Sequence, residues 1–254
     1  MQVSSPMNKI AQITLVFWIM KISATTLGET AGDLLAQTLG VGYAVSTLIF
    51  FSIFLITLVA QLSSKRYIPA LYWTVILSTS VAGTTMSDFM DRTLALGYAK
   101  GSMILITILL SIFAYWYFSE RSLNINYIRN RKAEVLYWIA ILFSNTLGTA
   151  LGDFLSDTSG LGYIGGAILI GSLLAFIAIC TFYTKISRVF LFWVAFVLTR
   201  PFGATFGDLL TKPHGKGGLD LGTTGSSLVL ASILIAFMIY TTFRQNNVSS
   251  EQAL

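Results

Sequence analysis

The sequence predicts an all-α, polytopic membrane protein with eight transmembrane helices, formed by four parallel two-helix repeats, with both termini in the cytoplasm. Three observations predict it: a composition unsuited to water, apolar stretches of spanning length from end to end, and one phrase that returns four times. The chain has 254 residues, of which 55% are hydrophobic and only 11% charged, whereas a soluble domain carries about 25% charge. Its mean hydropathy is +0.75. A water-soluble enzyme or binding module is therefore excluded.

Crossing a bilayer takes roughly 20 residues of helix. The first stretch covers about 11–32 around the core "ITLVFWIM", and the second about 43–62. The third, about 68–88, is built on "LYWTVIL" and is followed by the fourth, about 98–118. The fifth, about 135–155, contains "VLYWIAILF", the sixth covers about 161–182, the seventh, about 189–208, contains "VFLFWVAFVL", and the eighth covers about 223–243. "MQVSSPMNKIAQ" has no cleavable leader pattern, so the first stretch reads as a retained helix. The single cysteine, Cys180, lies in the sixth stretch. It permits no disulfide within the chain and reads as a packed thiol.

Aligned on tryptophan, the chain repeats itself as "FWIMKISATTLGETAGDLLAQTLGVGY", "YWTVILSTSVAGTTMSDFMDRTLALGY", "YWIAILFSNTLGTALGDFLSDTSGLGY" and the diverging "FWVAFVLTRPFGATFGDLL". In each copy the tryptophan (Trp18, Trp73, Trp138, Trp193) precedes an aspartate (Asp33, Asp88, Asp153, Asp208) by 15 positions. Successive tryptophans are 55, 65 and 55 residues apart, which points to a helix pair duplicated twice. The organisation is then a first half at 11–120, a cytoplasmic linker at 121–134 and a second half at 135–243. Each copy crosses the membrane twice, so all copies start on one side. The repeats are parallel, unlike the inverted repeats of many transporters.

Basic residues set the orientation. Both termini and the even-numbered ends carry Lys9, Lys65, Arg66, Arg121, Arg129, Arg131, Lys132, Lys185, Arg188 and Arg244, while the opposite connections carry only Arg92, Lys100, Lys212 and Lys216. The excess of basic residues on the cytoplasmic side of membrane proteins places both termini in the cytoplasm. The net charge of +5 follows from this orientation and gives no reason to expect nucleic acid. The tryptophans, about 22 Å from the aspartates at 1.5 Å per residue, are expected in an aromatic belt at the inner interface.

Small residues accompany each aspartate. Gly28 and Gly32, Gly83 and Ser87, Gly148 and Gly152, and Gly203 and Gly207 are four apart, with Ala24, Thr79, Ser144 and Thr199 a further four back. Such a face lets helix backbones approach closely in lipid, so a helix-packing role is expected for these positions. It also brings Asp33, Asp88, Asp153 and Asp208 to one level, where carboxylates in a membrane face the bundle interior or a water-filled cavity. Near helix C-termini the dipole disfavours an anion and favours a cation. Unwinding at Gly28–Gly32 would reverse that argument, and a purely structural capping role for the aspartates stays open.

Three residues break the four-fold pattern. Lys21 stands where the other copies have Ile76, Ile141 and Phe196; Glu29 where they have Thr84, Thr149 and Ala204; Arg200 where they have Thr25, Ser80 and Asn145. Glu29 and Asp33 are expected to be the working pair and the metal ligands, with Lys21 and Arg200 as internal counter-ions and Asn145 as an added oxygen ligand. A structural salt bridge, or an anionic substrate at Arg200, are the alternatives. Oxygen-only ligation suits protons and hard cations. The lone His214 reads as a residue of the loop "TKPHGKGGLD".

The recurring "TLGETAGD", "VAGTTMSD", "TLGTALGD" and "PFGATFGD", each after an aromatic-Trp start, resemble the bacterial integral-membrane family defined by four copies of a short repeat of unknown function. The resemblance implies a multi-span protein of the bacterial inner membrane and no particular reaction.

The expected function is secondary transport of a hard inorganic cation, most simply divalent, coupled to protons through Glu29, Asp33 and the other carboxylates. A cation channel with a carboxylate ring is the nearest alternative; an intramembrane enzyme or a structural membrane partner is a further one. No nucleophile elbow, HExxH or cofactor motif is present, so neither an enzyme nor a cofactor is expected. The expected partners are the lipid bilayer, the cation and protons, with self-association left open.

Overall fold

The computed structural model describes residues 9–128 and 130–251, without the side chains of Tyr127 and residues 246–251. Arg129, residues 1–8 of the segment in which no cleavable leader is expected, and the side chain of Glu251 lie outside what is described. Among the described residues the regular structure is entirely helical. The eight long helices are α1 (Leu15–Asp33), α2 (Tyr43–Ser63), α3 (Pro69–Asp88), α4 (Tyr98–Glu120), α5 (Arg131–Asp153), α6 (Gly162–Tyr183), α7 (Arg188–Thr211) and α8 (Thr223–Glu251).

Local chemistry starts them. The Thr14 hydroxyl accepts from the Phe17 amide at the head of α1, Asn130 from Ala133 at α5 and Ser187 from Phe190 at α7. Each replaces a partner that the first helical turn lacks. Pro69 opens α3, where its missing N–H removes nothing. Gly42 and Gly97, with φ of 83° and 75°, make the sharp entries to α2 and α4.

The odd-numbered helices form a closed inner ring, in which α1 packs on α3, α3 on α5, α5 on α7, and α7 back on α1. Outer helices do not stay with their own repeat. Helix α2 packs on α3, α4 on α5, α6 on α7, and α8, from the last repeat, on α1 of the first. The close approaches are cyclic too. A Cβ on Gly28, Gly83, Gly148 or Gly203 would lie 2.2–2.9 Å from Ser80, Asn145, Arg200 or Thr25 respectively, the same repeat position on the next helix each time. Four residues on, Gly32, Gly152 and Gly207 meet Thr84, Ala204 and Glu29 with the same offset, so the four inner helices run parallel.

The burial pattern is inside-out. In the apolar window of α2 only 11% of residues are buried, against 78% in α5, and the exposed large side chains, such as Leu48, Ile56, Met103, Leu110, Ile168 and Phe176, crowd the outer helices. The ring interior instead holds Lys21, Thr25, Glu29, Thr84, Asn145, Thr149 and Arg200. Among the described residues six helices are long and apolar enough to cross a membrane, namely α2, α4, α5, α6, α7 and α8. Helices α1 and α3 fall short of that hydropathy because they carry Lys21, Glu29, Asp33 and Asp88 and a run of Ser and Thr, which are largely buried against the other helices.

One expectation is corrected. The tryptophans do not form an interfacial belt: Trp73, Trp138 and Trp193 are at most 5% exposed. Each packs against the aromatic residue that begins the preceding copy. The ring centroids are 5.5 Å apart for Phe17 and Trp73, 5.6 Å for Tyr72 and Trp138, and 6.1 Å for Tyr137 and Trp193. Phe192 closes the cycle on the half-buried Trp18 at 5.8 Å. The Tyr72 and Tyr137 hydroxyls meet at 2.7 Å. The bundle is thus closed at this end by aromatic packing.

Candidate functional site

Read at four-residue steps from the aromatic closure, the ring stacks Lys21, Ile76, Ile141 and Phe196; then Thr25, Ser80, Asn145 and Arg200; then Glu29, Thr84, Thr149 and Ala204; then the four aspartates. One step beyond stand Gln37, Arg92, Asp157 and Lys212. The helices run unbroken past Gly28, Gly83 and Gly148, so no unwinding occurs at the glycines. In the first three copies they instead widen into a π-helical turn directly after the aspartate, at Leu34–Thr38, Phe89–Thr93 and Phe154–Thr158. Single π turns of this kind are frequent at functional sites.

Asp33, Asp88, Asp153 and Asp208 are all buried, at 1–3% exposure. Two side chains of the protein bridge them in pairs. Lys212 Nζ lies 2.7 Å from Asp33 Oδ2 and 3.2 Å from Asp208 Oδ1. Arg92 places Nε 2.8 Å from Asp88 Oδ1 and a terminal nitrogen 3.1 Å from Asp153 Oδ2. Each base therefore joins its own repeat's aspartate to that of the next repeat. Arg92 also lies over the Tyr43 and Tyr98 rings, 5.8 and 5.6 Å from their centroids. Gln37 donates its amide to Asp33, and Asp153 Oδ1 is buried without a hydrogen-bond partner.

Lys212 sits just past the end of α7, where the fourth copy lacks the π turn. The following loop folds back on the helix end: Leu219 N donates to Leu209 O at 2.7 Å, Leu221 N to Leu210 O at 2.9 Å and Asp220 N to Lys212 O at 3.0 Å. His214 lies in this loop, its ring nitrogen 2.9 Å from the Gly218 carbonyl. Burial alone would lower the Lys212 pKa, but the Asp208 and Asp33 carboxylates outweigh it and hold the ammonium well above the usual lysine range.

Below the aspartates, Arg200 spans the ring. Its guanidinium donates to Glu29 Oε2 at 3.0 Å and the Thr25 carbonyl at 3.4 Å on α1, to Thr84 Oγ1 on α3, and to Thr149 Oγ1 at 2.7 Å on α5. A permanent positive charge thus touches every inner helix. Lys21, fully buried one level further in, has no carboxylate partner among the described residues. Its ammonium meets Asn145 Oδ1 at 3.4 Å and the Phe196 ring face at 4.0 Å. The Asn145 amide nitrogen goes to Thr79 Oγ1 at 3.0 Å.

Of the residues singled out from the sequence, Glu29 and Asp33 do come together, and Asp208 joins them: one carboxylate oxygen from each lies within 4.8 Å of the others. Asp88 and Asp153 form the other pair. Arg200 stands against Glu29, whereas Lys21 and Asn145 meet each other away from the acids. Gly32, Gly152 and Gly207 face Thr84, Ala204 and Glu29, each with room for no side chain, and Ser87 donates to Asp91 Oδ2 at 3.3 Å. Sequence reasoning missed Arg92 and Lys212 as members of the site, treating them only as loop charges. The signal was there: both stand four residues after an aspartate, one turn on and on its own face.

Chemically, five buried carboxylates, those of Glu29 and the four aspartates, face two buried bases, Lys21 and Arg200, and two at the rim, the half-buried Lys212 and the exposed Arg92. Glu29, Asp33 and Asp208 offer a hard, oxygen-only ligand set for a cation. Residues 16–67, 71–122, 136–187 and 191–247 each match the family model described as a Repeat of Unknown Function (DUF347). No curated protein and no solved structure matches the chain.

Proposed function

Because the chain belongs to the DUF347 repeat family, whose description names no activity, we propose a function from the site itself: proton-coupled secondary transport of a hard inorganic cation across the bacterial inner membrane. In this reading all eight long helices span the bilayer, α1 and α3 included, with their polar faces turned into the ring. The excess of basic residues beside the termini supports a cytoplasmic location for both ends. The aspartates then lie toward the outer face and the aromatic closure toward the cytoplasm.

The observation that carries this reading is the level of four buried aspartates, closed by the protein's own Lys212 and Arg92 and touched by Glu29. Buried ionisable groups in a membrane mark ion and proton pathways. Lys212 is the tethered stand-in for the cargo: an arriving cation takes Asp33, Asp208 and Glu29 as ligands and displaces the ammonium. Glu29 links this event to Arg200, since its carboxylate serves either the guanidinium or the cation. A proton on Glu29 releases both.

The four-fold ring also suggests a channel. Arg200 argues against it, because a fixed guanidinium touching all four inner helices opposes continuous cation flow along the axis. The test is transport in liposomes with Mn2+, Mg2+, Ca2+ or Na+ outside and a pH reporter inside. Cation movement accompanied by proton movement, abolished in Asp33→Asn, is expected. If no cation moves, or Asp33→Asn behaves like the parent, the reading is wrong.

A further inference from the structure

The level between the aromatic closure and Arg200 is as rich in donors as the aspartate level is in acceptors. Lys21 is 0% exposed and carries three N–H donors, for which the structure supplies one acceptor, Asn145 Oδ1, at the long distance of 3.4 Å, and the Phe196 ring. On Arg200, also 0% exposed, the terminal nitrogens are engaged but the Nε–H has no partner. The hydroxyl of Ser80, in the same level as Asn145 and Arg200, is buried without a partner too. A lone buried ammonium is strongly unfavourable, and each unmade buried hydrogen bond adds to that. Among the described residues the only carboxylate bonded to either cation is Glu29, which Arg200 holds on the side facing the aspartates.

We propose that this level is a binding site for a small monovalent anion of the size of chloride, held by the Lys21 ammonium, the Arg200 Nε–H and the Ser80 hydroxyl. Halide chemistry fits because the donors come from an ammonium, a guanidinium and a hydroxyl. A spherical acceptor can take donors from three different helices without the planar geometry that a carboxylate ligand demands. The anion would neutralise Lys21, the buried base inside the ring to which no described carboxylate is paired. It would lie on the ring interior, with Arg200 between it and the cation ligands, so the chain would hold a cation level and an anion level in series.

The test uses the purified full-length chain in detergent, without any of the candidate cargo cations. Thermal unfolding is followed while chloride replaces gluconate at constant ionic strength. The parent is expected to gain melting temperature with a saturating chloride dependence, as ligand binding to the native state requires. Lys21→Met removes the unpaired charge with little change in volume, so it is expected to fold, and its apparent chloride affinity should fall at least tenfold. Asp33→Asn should keep the parental chloride dependence, which separates failure of this site from failure of the transport reading. A parent indifferent to chloride, or a Lys21→Met variant with an unchanged response, overturns the proposal. The first result would mean that Lys21 is an uncharged amine or that water satisfies these donors.

Discussion

Gly148 on α5 lies directly against Arg200 on α7: a methyl group on its Cα would come within 2.4 Å of both Cβ and Cγ of the arginine. The glycine therefore fixes the path of the arginine stem, and through it the position of the guanidinium among Glu29, Thr84 and Thr149. Gly148→Ala is expected to destabilise the protein by about 1–3 kcal/mol, the usual penalty of overpacking, and to loosen the pairing with Glu29. Thermal unfolding and transport in liposomes check the two effects separately.

Glu29 and Arg200 are both buried and bonded to each other at 3.0 Å. Arg200→Met leaves the carboxylate in the ring without its partner and should cost about 3–5 kcal/mol, the magnitude for half of a broken buried pair. Glu29→Gln combined with Arg200→Met should recover part of that loss. A double-mutant cycle on unfolding midpoints measures the coupling. Additive losses would show that the pair is not energetically linked.

Lys212 occupies the place that a cation bound by Asp33 and Asp208 would take. Lys212→Met, lacking the tethered charge, is expected to bind Mn2+ or Ca2+ about tenfold more tightly, or ~1.4 kcal/mol. Titration calorimetry on the purified protein reads this directly. Weaker binding in the variant would mean that the lysine organises the aspartates and does not compete for them.

The same lysine gives a pH prediction. Its folded pKa is raised above the unfolded value, so its contribution to stability is complete below about pH 10.4, the ordinary lysine value, and is lost as pH rises toward the folded pKa. Lys212→Met should therefore lose less melting temperature than the parent between neutral and strongly alkaline pH. Near neutrality Lys212 should contribute no slope.

Much of this architecture is legible in the sequence. The 15-residue spacing of tryptophan and aspartate locates the four inner helices, and the small residues at Gly28, Gly83, Gly148 and Gly203 announce close approach, hence the meeting of the aspartates. What spacing cannot convey is which neighbour each residue meets. Arg92 and Lys212 resemble loop charges until the cyclic order places each between two aspartates. The tryptophans look interfacial because helix position suggests a belt, yet each is consumed by the aromatic of another copy. Lys21 reads as a counter-ion to acids eight and twelve residues away along α1, but its side chain reaches Asn145 on another helix.

The crossing of each outer helix to its neighbour's inner helix has a consequence for how the molecule is made. Helix α1, which carries Lys21, Glu29 and Asp33, gains its last two flanking partners, α7 and α8, only when the ribosome has nearly finished the chain. Until then three of the side chains most costly to bury wait without their final shelter. Biogenesis therefore stays provisional to the end, and a message truncated before α8 should yield a product that quality-control proteases remove.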